Sequence, residues 1–151
     1  MRIKRQNIAL GIVIFWATWF PIVLASNVCD GLRQIQVLPP QWTFVSGNYA
    51  FMKSVTSRRQ CESATPMLFA GVLAWESVAA GLFVRAAYLI VRQSTQSRDA
   101  TRIAFAAAIA LWAAFLLADE ILIVYDVEAT HFRLFIAQLL SLMYVDSPHD
   151  D

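Results

Sequence analysis

Among the ionisable residues within or at the rim of long apolar runs are Glu76 and Arg85 in 67–92, Asp119 and Glu120 near the end of 103–125, and Arg133 in 129–146. A charge at the centre of a bilayer costs about 2.5–3.5 kcal/mol on insertion scales, so each such group needs a partner, water or a route to the surface. Glu76 falls about 9 residues from the nearer end of its run, roughly 13 Å at the helical rise and close to mid-membrane. Asp119, Glu120 and Arg133 lie towards the same side. Arg133 is therefore expected to meet Glu120 or Glu76 in an inward-facing polar cluster, while Arg85 snorkels to the opposite interface. Such a cluster admits two chemistries. Intramembrane carboxylates carry protons or ions in transporters; alternatively, a charge pair or a protonated glutamate fixes helix register or docks a partner. A single mid-depth carboxylate with none in the inner half makes a poor relay, which favours the structural role.

Other chemistry is limited. The sequence contains no CxxC, HExxH, GxxxxGK[ST] or GxSxG pattern, the usual signatures of metal, phosphate and nucleophile sites. Its two histidines are His131, expected in a solvated interfacial link, and His149 in the tail, so no pair faces across a bundle to hold haem. We expect no enzyme activity, no metal and no cofactor bound by the chain's own ligands, with lipid contacts instead. Cys29 and Cys61 are the only cysteines and flank the long connection 26–66. In an oxidising compartment a disulfide between them would staple the outer ends of two helices, worth about 3–4 kcal/mol in the chain-entropy model. Two unrelated free thiols are the alternative.

These groups need helices to position them. The chain has 151 residues, 58% hydrophobic and 15% charged, with a formal net charge of +1. Soluble domains run at about 45–50% apolar and about 25% charged, so blocks of apolar residues here point to a bilayer as solvent. Neither the net charge nor any basic run suggests nucleic acid. Four transmembrane helices are predicted at about 8–25, 67–92, 103–125 and 129–146, in one membrane domain spanning 1–151. The first run follows Arg2, Lys4 and Arg5 and resembles a signal peptide, but it exceeds the usual h-region of about 7–15 residues, so a retained helix bent near Pro21 is expected. In the outer loop 26–66, Pro39-Pro40 stops any helix. Asn48, Phe51, Met52 and Val55 then recur at i, i+3, i+4 and i+7, with Lys53, Ser54 and Thr56 turned away. That spacing fits a short amphipathic helix, or equally a loop packed on Trp42, Phe44 and Tyr49. The link 126–131 is read as an acidic turn. Short basic segments at the start and at 92–102 place both termini in the cytoplasm and the cysteine loop outside.

The motifs Asn27-Val28-Cys29-Asp30, the segment 48–57 (NYAFMKSVTS), Glu76, Glu120 and Phe132-Arg133 resemble those of a bacterial family of small four-helix integral membrane proteins catalogued as a domain of unknown function. That family has an Asn-x-x-Asp step after helix one and a glutamate in helix two. It also has a glutamate late in helix three and a Phe-Arg at the start of helix four. This chain has extra residues between Asp30 and Asn48, and it lacks the family's Trp-rich link between helices three and four. The resemblance implies a multi-pass protein of the bacterial inner membrane and carries over no activity. The expected function is a non-catalytic accessory or structural subunit of a larger membrane complex, such as a respiratory or photosynthetic electron-transfer assembly. Its partners would be other integral membrane subunits, docked through an outer-loop surface of Asn27, Asp30, Asn48, Phe51 and Met52. A small transporter or channel component using the intramembrane carboxylates is the alternative.

Overall fold

A computed structural model describes residues 5–147; Arg2, Lys4 and the tail with His149 lie outside the described residues. Within them the protein is all-α, with no strand: α1 (Arg5–Gln34), α2 (Asn48–Arg58), a single 3-10 turn (Glu62–Ala64), α3 (Thr65–Val91), α4 (Ser97–Leu122) and α5 (Tyr125–Asp146). Three stretches are long and apolar enough to cross a membrane: Asn7–Gln34, Glu62–Val91 and Ser97–Leu122. α5 carries Asp126, Glu128, His131 and Arg133 in its first half.

Several boundaries differ from the sequence reading. α1 runs unbroken through Pro21 and continues to Gln34, because the polar residues that ended the apolar run, Asn27 and Asp30, are themselves buried and paired. α4 begins at Ser97 and α5 at Tyr125, so most of the polar turn 93–101 and the acidic link 126–131 are helix. Reversals are correspondingly tight. After α1, α2, α3 and α4 the chain turns on Gln36, Gln60, Gln93 and Ile123, all at positive φ of 52–61°. Each of these residues donates to the carbonyl three residues back, and its successor donates to the carbonyl five back. That is the Schellman closure, which glycine usually provides. None of these ends carries the glycine that usually marks such a stop.

The described residues form two compact units. One comprises 5–19 and 78–147: the first part of α1, the second part of α3, and all of α4 and α5. Ala79, Ala86, Ala100, Ala104 and Ala108 are buried there, and small side chains let helix backbones approach closely. Phe83 and Phe105 meet edge to face with centroids 5.0 Å apart, and Trp16 Nε1 donates to Ser141 Oγ at 3.1 Å.

The other unit comprises 20–77: the rest of α1, α2, the 3-10 turn and the start of α3. Phe69 seals it, its ring against Tyr49 at 5.2 Å and over Gly31. A Cβ on Gly31 would stand 3.1 Å from that ring, which is why a glycine serves there. The expected short helix exists as α2, with its buried side rotated from the prediction. Val55 and Thr56 are buried and Met52 is half-buried, while Phe51 is 36% exposed. Thr56, expected outward, is accommodated because its hydroxyl bonds Met52 and Lys53 carbonyls and the Thr65 hydroxyl, the last at 2.6 Å. The predicted Cys29–Cys61 disulfide is not formed. Both are free thiols, with Cys29 on the extended α1 and Cys61 at the start of the 3-10 turn. Extending the helix fixed Cys29 on a helical face instead of a loop free to reach its partner.

Candidate functional site

Residues 27 and 30 stand at i and i+3 and so share one face of α1; this face is the unit's polar centre. Asn27 and Asp30 are 0% exposed and Glu76 is 3% exposed. The Asn27 amide Nδ2 donates to both Glu76 oxygens, Oε1 at 2.8 Å and Oε2 at 2.9 Å. Its Oδ1 accepts from Asn48 Nδ2 at 2.8 Å. One amide thereby joins α1, α2 and α3. Asp30 is the second anchor. Its Oδ2 accepts the Tyr49 backbone N–H at 2.8 Å and the Ser46 hydroxyl at 3.2 Å, while the Arg33 guanidinium lies 3.5 Å from Oδ1.

The Asp30 contact explains how so short a helix is held. α2 has no capping side chain of its own, and the chain enters it through Gly47 at φ 79°, a conformation glycine adopts without steric cost. The Asp30 carboxylate reaches across from α1 to the first turn of α2, where free N–H groups and the helix dipole favour an anion. Ser46 completes the joint by accepting the Asn48 N–H at 3.1 Å.

Asn27 and Asp30, which the sequence assigned to an outer-loop docking surface, are both buried and hold the unit together. Of the other residues assigned to that surface, Phe51 and Asn48 are exposed and Met52 is half-buried. Among the described residues Arg133 is not paired with Glu120. Glu76 takes Asn27 as its partner, and Glu120 and Arg133 are exposed. In the unit of 5–19 and 78–147, Asp119 instead pairs with His131, Oδ2 to Nδ1 at 2.6 Å. The imidazole stacks on Phe115 at 4.9 Å and lies 6.0 Å from Trp112. His131 is thus a packed helical residue, not a solvated one, because α5 begins earlier than the sequence indicated.

Chemically, the Asn27–Glu76–Asn48 chain is a lock: every link is a hydrogen bond between side chains of different helices. Among the described residues no group of three or more His, Cys, Asp or Glu side chains is placed to hold a metal ion. Two features escaped the sequence reading. Asn27 as the partner of Glu76 was signalled only by its i,i+3 relation to Asp30. The ion triad of Asp146 with Arg98 and Arg102 gave no local signal, since its members are 44–48 residues apart. No protein-family model, curated protein or solved structure matches this chain.

Proposed function

We propose that the chain is a non-catalytic subunit of a larger membrane assembly in the bacterial inner membrane. Both termini would be cytoplasmic, α5 would make a fourth crossing, and the 35–64 connection would lie outside. The observation that carries this reading is a contrast within one unit. The connection after α1 is pinned at Ser46, Asn48 and Tyr49 to buried side chains. Yet it turns Ile35 (69% exposed), Val37 (64%), Trp42 (43%) and Phe44 (48%) outward. A pinned segment that displays aliphatic and aromatic side chains suits docking, since its ordering cost is already met before a partner binds. Aromatic anchors dominate interfaces of this kind, and the expected partner is another integral membrane subunit.

Purification of the tagged chain in mild detergent tests this. A stoichiometric membrane partner is expected with the wild type and is expected to be lost with Trp42→Ser/Phe44→Ser, whose buried network is untouched. A homogeneous chain without partners would overturn the proposal. Transport through Glu76 has less support, since its oxygens are engaged by an amide that is itself engaged. Glu76→Gln in proteoliposomes separates the readings: lost proton or ion flux with an intact fold favours transport, and lost assembly favours docking.

A further inference from the structure

In the unit of 5–19 and 78–147, a cavity of about 360 Å³ is bounded by Ala9 and Leu10 of α1, Ile90 of α3, Arg98 and Arg102 of α4, and Leu142 of α5, among others. These residues come from the beginning of one candidate span (Asn7–Gln34), the end of the second (Glu62–Val91) and the beginning of the third (Ser97–Leu122). On the reading that these three helices span the bilayer, the cavity falls at headgroup depth. Its walls divide accordingly, with aliphatic side chains on one part and two guanidiniums on the other.

The guanidiniums are held in place before any ligand arrives. Asp146 Oδ1 accepts from Arg98 Nε at 3.0 Å and Arg102 Nε at 2.8 Å, and its Oδ2 accepts from Arg102 Nη2 at 2.9 Å. Arg98 Nη2 also reaches the Asp146 carbonyl at 3.1 Å. Each guanidinium has five N–H donors, so most of the ten remain unused. Asp99 lies 4.0 Å from Arg102 and is 79% exposed. Counting the described side chains at this end, Arg92, Arg98 and Arg102 outnumber Asp99 and Asp146. The first turn of α4, beside Arg98, has no side-chain cap, which adds a favourable field for an anion.

We propose that this cavity binds the phosphate of an anionic phospholipid, with Arg98 and Arg102 on the phosphate and the aliphatic wall along the start of an acyl chain. The shared chemistry is a phosphate ester, and the aliphatic wall assigns it to a lipid in preference to a soluble phosphate. Fork-shaped guanidiniums suit phosphate oxygens, and a basic pocket between membrane helices at headgroup level is a recurrent form of lipid recognition. The site does not depend on the subunit reading, since it uses neither the 35–64 connection nor the buried network.

The test is native mass spectrometry of the full chain from a neutral detergent carrying equal amounts of phosphatidylglycerol and phosphatidylcholine with matched chains. The wild type is expected to retain the anionic lipid preferentially. Arg98→Gln and Arg102→Gln should each reduce that preference about fivefold. Asp146→Asn, which removes the competing carboxylate, should raise it. Leu142→Trp, which fills the aliphatic part with both arginines intact, should abolish retention, and it keeps the proposal testable if an arginine variant fails to fold. Equal retention of both lipids by the wild type, or a preference unchanged in every variant, overturns the site. Displacement of the lipid by millimolar glycerol 3-phosphate overturns its assignment to a lipid.

Discussion

In the unit formed by 20–77, buried Asn27, Asp30, Thr56, Thr65 and Glu76 exchange hydrogen bonds across α1, α2 and α3. In the unit formed by 5–19 and 78–147, fully buried Gln138 has neither amide atom paired, and Trp112 Nε1 is likewise without a partner. Buried alanines, the Phe83–Phe105 contact and the Asp119–His131 pair shape that second unit, and its ion triad, Arg98 and Arg102 on Asp146, stands at an exposed end. The comparison separates two ways of fixing helices. A polar network that crosses helices specifies one register, because any slip strands a buried donor or carboxylate. In this one only Asp30 Oδ1 lacks a hydrogen bond, and it faces the Arg33 guanidinium at 3.5 Å. Small-residue packing tolerates an idle amide, because removing it disconnects nothing.

The largest expected effect tests the network. Asn27→Leu removes the donor to Glu76 and the acceptor for Asn48 together, and should destabilise by about 3 kcal/mol or more. Denaturant unfolding in detergent measures it, and a loss below about 1 kcal/mol would contradict the contrast drawn here. Asp30→Ala should cost about 1–2 kcal/mol, and its hydrogen exchange should rise in α2 while α4 and α5 stay protected. Equal exchange throughout would show that the two units do not respond separately. Gln138→Leu should be neutral or stabilising by about 1 kcal/mol, as two buried unpaired polar atoms are removed. A clear destabilisation would mean the amide is engaged after all.

Ile123→Gly should stabilise by about 0.5–1 kcal/mol, since a β-branched residue at φ 53° is strained and its side chain is 56% exposed. A lowered melting temperature would count against strain at that turn. The smallest effect is pH-dependent. Asp146, the last residue of α5 and outside the three candidate spans, has its carboxyl held below the ordinary range by hydrogen bonds from Arg102 and then Arg98, and by their charges. Its contribution is complete above the unfolded value of about 3.9 and is lost as pH falls through the lowered folded value. The Asp146 contribution should be constant above about pH 4 and fade below it, so the melting temperatures of the wild type and Asp146→Asn should converge as pH falls.

Much of this arrangement was legible in the residues. The apolar blocks gave the all-α character, and three of the four predicted spans correspond to helices long and apolar enough to cross a membrane, the fourth, 129–146, falling in α5. The i, i+3, i+4, i+7 spacing from Asn48 gave α2 as one of two equal readings of the long connection, though not its buried face. Glu76 stood out because a carboxylate in an apolar run demands a partner. What stayed hidden was non-local or conformational. Hydropathy ended α1 at residue 25 because it scores Asn27 and Asp30 as solvent-seeking, whereas paired side chains can be buried. The end of α1 was missed because Gln36 does the work of glycine there, whereas the end of α3 was read within one residue from the polar run that begins at Gln93. His131 was placed in a link because acidic residues opening a helix look, in one dimension, like a loop.

The Asn27–Glu76 bond also has a meaning in time. Its partners are 49 residues apart in the chain, and synthesis proceeds at about 5–20 residues per second. For some seconds after the first helix is made, its far end carries an amide and a carboxylate whose partners do not yet exist. Asp30 is satisfied first, when the segment through Tyr49 arrives, and Glu76 comes last. The glutamate is thus the closing step of biogenesis for this half of the molecule, and a chain truncated before it would be left with α1 in the membrane and its polar end unfinished.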